Sequence, residues 1–131
     1  MKRALLALVP LLVLTGVLAA CGGDDSGGSA SGTGGASSDV EAGKQLVKDR
    51  GCPSCHSTNG ARGTGPTWKG LYGSQVELAD GTTITADDLY IKESMTDPSA
   101  KIVKGFPNAM PRFNLTPEEQ DQILAYIKSL A

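Results

Sequence analysis

Histidine occurs once in the 131 residues, at His56. No second imidazole is present to share a metal or to serve as a separate acid–base group. Cysteine is nearly as scarce. Cys52 and Cys55 lie beside His56, and the third, Cys21, is far from them. A closed structural zinc site needs four Cys or His ligands, and this cluster offers three. Aromatic residues make up 5% of the chain, few for the core of a domain of this size. Basic residues are not in excess. There are 12 against 14 acidic ones, a formal net charge of −2, which argues against a nucleic-acid partner. No segment shows the alternation of a strand.

The amino-terminal part reads as targeting sequence. Lys2 and Arg3 form a positive n-region, Ala4 to Val17 an apolar h-region, and Leu18-Ala19-Ala20-Cys21 places small residues before a cysteine. This is an export signal with a small-residue cleavage site. Its ending resembles a bacterial lipobox, in which Cys21 would be diacylated and become the first mature residue. The alternative is a retained membrane anchor, for which the apolar run is near the lower length limit. Either form would hold the protein on the outer face of the bacterial cytoplasmic membrane. Residues 1–21 are thus expected to be signal. Residues 22–38, almost all Gly, Ser, Ala, Thr and Asp, are expected to be a flexible tether with a reach of about 20–25 Å. Residues 39–131 are expected to be one folded domain. Loss of Lys2 and Arg3 with the signal leaves 10 basic against 14 acidic residues, a net charge of −4.

Residues 52–56 read Cys-Pro-Ser-Cys-His. This is the C-x-x-C-H pattern that attaches a c-type haem. Two thiols three positions apart can each add to one vinyl group of a single porphyrin, and the next residue can bring its imidazole to the iron. The serious alternative is a Cys-Pro-x-Cys dithiol redox site. Such sites sit at a helix N-terminus beside a βαβ unit, which this chain does not suggest. A plain disulfide would have no need of the adjacent histidine. A covalently held porphyrin would also supply the apolar centre that the aromatic content does not.

The folded part reads as all-α with long loops. A first helix is expected over residues 39–49, opened by the capping-box pattern Ser38-Asp39-Val40-Glu41 and stopped by Gly51. A glycine-rich loop from Gly60 to Gly73 follows. A second helix is expected over residues 86–95, capped by Thr85 and ended by Asp97-Pro98. A third is expected over residues 117–130. Thr116 is its cap, Pro117 its first residue and Glu119 completes a capping box. Ile123, Tyr126, Ile127 and Leu130 form its apolar face.

Taken in order, these features resemble a class I cytochrome c. The chain looks most like the cytochrome c domain fused to subunit II of some bacterial terminal oxidases, and like its free-standing lipoprotein relatives. Gly51 to His56 match the attachment motif, Gly65-Pro66 and Gly70-Leu71-Tyr72-Gly73 the loop after it. Asp97-Pro98, Lys104-Gly105-Phe106 and Met110-Pro111 match the ligand-loop side, and Ile123 to Leu130 the terminal helix. The resemblance implies a small fold of about three main helices and long loops around one covalent haem c. Met110 would be the distal axial ligand opposite His56, and the Pro66 carbonyl would accept the Nδ1 hydrogen bond of His56. Gly43 would lie where the terminal helix crosses the first, with Ile123 and Tyr126 in the crossing. Ser74 departs from mitochondrial-type members, many of which carry arginine there, and the middle helix has no tryptophan. Trp68, Tyr72 and Arg62 are then the candidates for propionate partners.

Met95 is the other methionine beyond the initiator. Its spacing from Ile91 is that of a core residue, where a thioether is an ordinary gap filler. Met110 sits between Pro107 and Pro111, which stiffen its loop. His/Met ligation is an electron-transfer pattern. The resemblance therefore implies an electron carrier rather than an enzyme. It would be membrane-tethered and part of a respiratory chain, with a quinol-oxidising complex as donor and a terminal oxidase as acceptor. Two other readings stand beside it. One is a haem subunit that takes electrons from a specific dehydrogenase or reductase. The other is a ligand-binding haem sensor, which would need an open sixth position.

Overall fold

The computed structural model describes residues 34–131. The expected signal, Cys21 and most of the expected tether lie outside the described residues. Three helices carry the fold: α1 over Gly34–Asp49, α2 over Asp88–Thr96 and α3 over Pro117–Lys128, with one turn of 3₁₀ helix at Cys52–Ser54. Two short strands, β1 over Gln75–Glu77 and β2 over Thr83–Thr85, form an antiparallel hairpin. Among the described residues no helix is long and apolar enough to cross a membrane.

α1 begins earlier than expected, with residues 34–38 already helical. Ser38 does not cap it. Its hydroxyl donates to the Gly35 carbonyl at 2.7 Å, the back-bonding that serine adopts within a helix. α2 begins later than expected. Its cap is Asp87, whose carboxylate accepts from the Tyr90 N–H at 2.9 Å. Thr85 is instead paired with Gln75 across the hairpin, and Ala86 is fully buried with its N–H bonded to the Ser74 carbonyl. The third helix follows its sequence signal closely. The Thr116 hydroxyl accepts from the Glu119 N–H at 3.2 Å, and the Glu119 carboxylate accepts from the Thr116 N–H at 2.8 Å.

α1 and α3 cross at Gly43, as the resemblance implies. A Cβ on Gly43 would lie 1.9 Å from the Gln122 carbonyl oxygen and 3.0 Å from the Tyr126 Cβ. Only a glycine lets the two backbones come so near. Val47 on α1 and Ile123, Leu124 and Ile127 on α3 are each 4% exposed or less, and they join Ile91 and Met95 of α2 in one core. Burying each such aliphatic side chain contributes roughly 1.5–3 kcal/mol.

The hairpin was not expected, because three-residue strands are too short to show a period. The sequence reading passed over the one local signal of its turn, Asp80-Gly81. Gly81 takes φ 87°, and Asp80 accepts from the Thr82 N–H at 2.9 Å. The hairpin bonds in turn to the segment before Met110. The Ala79 N–H donates to the Ile102 carbonyl at 2.8 Å, and the Lys104 N–H to the Glu77 carbonyl at 2.9 Å. It thereby fixes one wall of the cleft described next.

Candidate functional site

The 3₁₀ turn follows directly on α1. Gly51, at φ 72°, reverses the chain after α1 and lets Cys52 begin a new turn. The Cys55 and His56 N–H groups both donate to the Cys52 carbonyl, which sets both sulfurs and the imidazole at the mouth of one cleft. Cys52 and Cys55 are free thiols. Burial pushes the Cys52 thiol up, with Arg50 nearby acting the other way.

His56 is held by its own loop. Its Nδ1 is 2.7 Å from the Pro66 carbonyl oxygen. A carbonyl can only accept, so Nδ1 carries the proton and Nε2 keeps a free lone pair. Burial pushes the His56 pKa down and the Pro66 hydrogen bond opposes this more weakly, so the ring is neutral near pH 7. Trp68 lies flat on the imidazole, with ring centroids 5.1 Å apart and planes at 14°. Tyr126 meets Trp68 edge-on at 6.4 Å. Gly65 passes so close that a Cβ there would be 2.7 Å from His56 Cε1, and one on Gly63 would be 2.3 Å from the Cys55 carbonyl oxygen. The Ser57–Thr67 hydroxyl bond at 2.9 Å and the Trp68 N–H to the Ser57 carbonyl at 2.8 Å staple the two arms of this loop.

The cleft encloses about 1170 Å³ of non-protein space, including solvent at its mouth. Cys52, Cys55, His56, Pro66 and Met110 all line it, so the sequence-expected residues are brought together. Met95 lines it too, but as a core residue of α2 that is 6% exposed. Met110 is half-buried in irregular chain between Pro107 and Pro111. The expected propionate partners fare differently. Trp68 is in the wall, whereas Arg62 and Tyr72 are not. Arg62 bonds the Gly105 carbonyl and lies 4.4 Å over the Phe106 ring. Tyr72 lies under the Lys128 ammonium at 4.6 Å. The sequence reading passed over several polar wall residues, among them Tyr90, Ser94 and Lys101. Tyr90 and Ser94 are one turn apart on the face of α2 that also carries Ile91, a placement the helical spacing could have revealed. Among the described residues no three His, Cys, Asp or Glu side chains converge on a metal position by themselves.

A family described as cytochrome c matches residues 40–131. The chain belongs to the cytochrome c family. No curated protein matches it. Its cofactor is covalently attached haem c, and it is a haem-based electron carrier. The residues present fit that group. Two free thiols, a neutral imidazole with an open Nε2 and a long apolar cleft with the Gly65 backbone pressed against His56 are what a cytochrome c needs to take up a flat, largely apolar macrocycle.

Proposed function

We propose that this cytochrome c is a membrane-tethered carrier of single electrons in a respiratory chain, delivering to a terminal oxidase and receiving from a quinol-oxidising complex. Cys52 and Cys55 would hold the haem through two thioethers, and His56 Nε2 and the Met110 sulfur would ligate its iron. The cofactor supplies a one-electron couple; the chain supplies its grip and surroundings. Pro66 fixes the imidazole tautomer and orientation and makes the ring a better donor. The apolar wall of α2 and α3 excludes water. Pro107 and Pro111 limit the freedom of the Met110 loop, so both redox states would find the same thioether in place. A rigid site of this kind transfers electrons with little rearrangement. The observation that carries this reading is the 2.7 Å Nδ1 bond to Pro66, which leaves Nε2 free in a cleft that Met110 also lines.

The amino-terminal sequence supports anchoring through an acylated Cys21, and two or more acyl chains give stable attachment. Mass spectrometry of the exported protein should find one haem adduct and a diacylated Cys21, and Cys21→Ser should release the protein from membranes. A redox titration followed optically should give a low-spin c-type spectrum. Met110→Ala should lower the midpoint potential and open the ferrous form to carbon monoxide near neutral pH. An unchanged potential with no carbon monoxide binding would remove Met110 from the iron.

A further inference from the structure

Haem c carries two carboxylates, and the cleft that takes it is mostly apolar. The thioethers arise on two adjacent pyrroles of the porphyrin, and the propionates hang from the other two. The carboxylates therefore lie toward the edge away from Cys52 and Cys55. The titratable side chains that face the cleft are Arg50, Cys52, Cys55, His56, Tyr90 and Lys101. Arg50 and Lys101 are the cations among them. Arg50 is two residues before Cys52, at the attachment edge, and is engaged by Glu119 at 2.7 Å. Lys101 comes from the loop after α2 and pairs with Glu93. Tyr90 and Ser94 stand beside it in the same wall. Tyr90 is 7% exposed and lines the cleft.

We propose that Tyr90 and Lys101 hold a haem propionate, the phenol donating a hydrogen bond and the ammonium neutralising the carboxylate. Glu93 pairs with the Lys101 ammonium itself and so orients it. The Ser94 hydroxyl donates to the Tyr90 carbonyl at 2.8 Å and also acts on the Tyr90 phenol, more weakly than burial does. Burial raises the Tyr90 pKa, so the phenol keeps its proton as a donor throughout the neutral range. A charge-assisted hydrogen bond to a carboxylate is about twice as strong as a neutral one, and both donors favour the ionised propionate. The pair replaces Arg62 and Tyr72, which lie outside the wall. This inference rests on covalent haem attachment at Cys52 and Cys55, which intact mass tests separately.

The experiment uses the full-length haem-loaded protein with Tyr90→Phe, Lys101→Gln, Lys101→Arg and the control Tyr72→Phe. The readouts are the propionate bending bands in the resonance Raman spectrum and the midpoint potential against pH. Losing either donor should raise the propionate pKa. The fall of the potential with rising pH then moves to higher pH. Lys101→Gln should also shift the equilibrium toward the ferric form about tenfold, or about 59 mV for one electron. Lys101→Arg should retain most of the wild-type behaviour, and Tyr72→Phe all of it. The double variant Lys101→Gln with Glu93→Gln separates the lysine's own effect from an unpaired glutamate. If it returned to the wild-type profile, or if Tyr90→Phe left bands and profile unchanged, the proposal would be overturned. Intact haem mass in every variant would show that attachment was untouched.

Discussion

Replacing Gly43 by alanine probes the contact on which the helix crossing depends. The added Cβ would stand 1.9 Å from the Gln122 carbonyl oxygen and 2.5 Å from its carbon. Carbon and carbonyl oxygen approach no nearer than roughly 3.3 Å, so α1 and α3 must part by about 1.4 Å. The obstacle is backbone and cannot rotate aside. A radial gap of 0.5–1 Å already forfeits about a quarter to a half of a dispersion well, and this gap would open among Val47, Ile123 and Ile127, all buried. Overpacking of this kind costs roughly 1–3 kcal/mol, and the upper end applies to a rigid obstacle. Alanine returns about 0.8–1 kcal/mol of helix propensity. The net loss is about 2 kcal/mol. For a domain of this size each kcal/mol lowers Tm by about 4–8 °C, so Gly43→Ala should melt about 8–16 °C lower by far-ultraviolet circular dichroism. Gly35→Ala, in the same helix with nothing within 4 Å of its Cβ, should be neutral or slightly stabilising. A Gly43→Ala protein melting with the wild type would refute the argument.

Trp68→Leu should free the imidazole face and open a void beside Tyr126, costing about 2–4 kcal/mol. It should also alter the g-anisotropy of the ferric electron paramagnetic resonance spectrum, and unchanged g-values would mean that the stack does not orient His56. Thr116→Ala should cost about 1 kcal/mol by removing the α3 cap, measurable in urea, whereas Thr116→Ser should be nearly silent. Among the described residues three carboxylates have folded pKa values below the ordinary range: Asp80 through bonds from Thr82, Asp88 through Lys128, and Glu119 through the Thr116 N–H. Each contributes stability that is complete above its unfolded pKa and lost as pH falls through its folded one. Tm should therefore hold down to about pH 5 and decline below it, and Glu119→Gln should flatten the decline.

Much of the site was legible in five consecutive residues, because haem attachment demands two thiols and an imidazole at fixed local spacing. The capping box at Thr116 and Glu119 was legible for the same reason: it is a local hydrogen-bond pattern that a tetrapeptide can satisfy alone. Ser38 shows where that logic ends. It carried the same signature, but a helix that continues through Gly35 and Ala36 leaves its hydroxyl to bond backward.

Other features depend on partners distant in the chain. Leu78 bridges Val103, and Glu77 and Ala79 bond residues 102–104, so the hairpin is stabilised by a segment no short window contains. The Trp68 stack on His56, the exclusion of Arg62 and Tyr72 from the cleft wall, and the place of Lys101 within it came from packing alone. The sequence by itself determined the chemistry of attachment, because covalent and capping rules act over three or four residues. The tertiary structure decided which side chains surround the attached group. That depends on how closely α1 and α3 can approach at a residue without a Cβ.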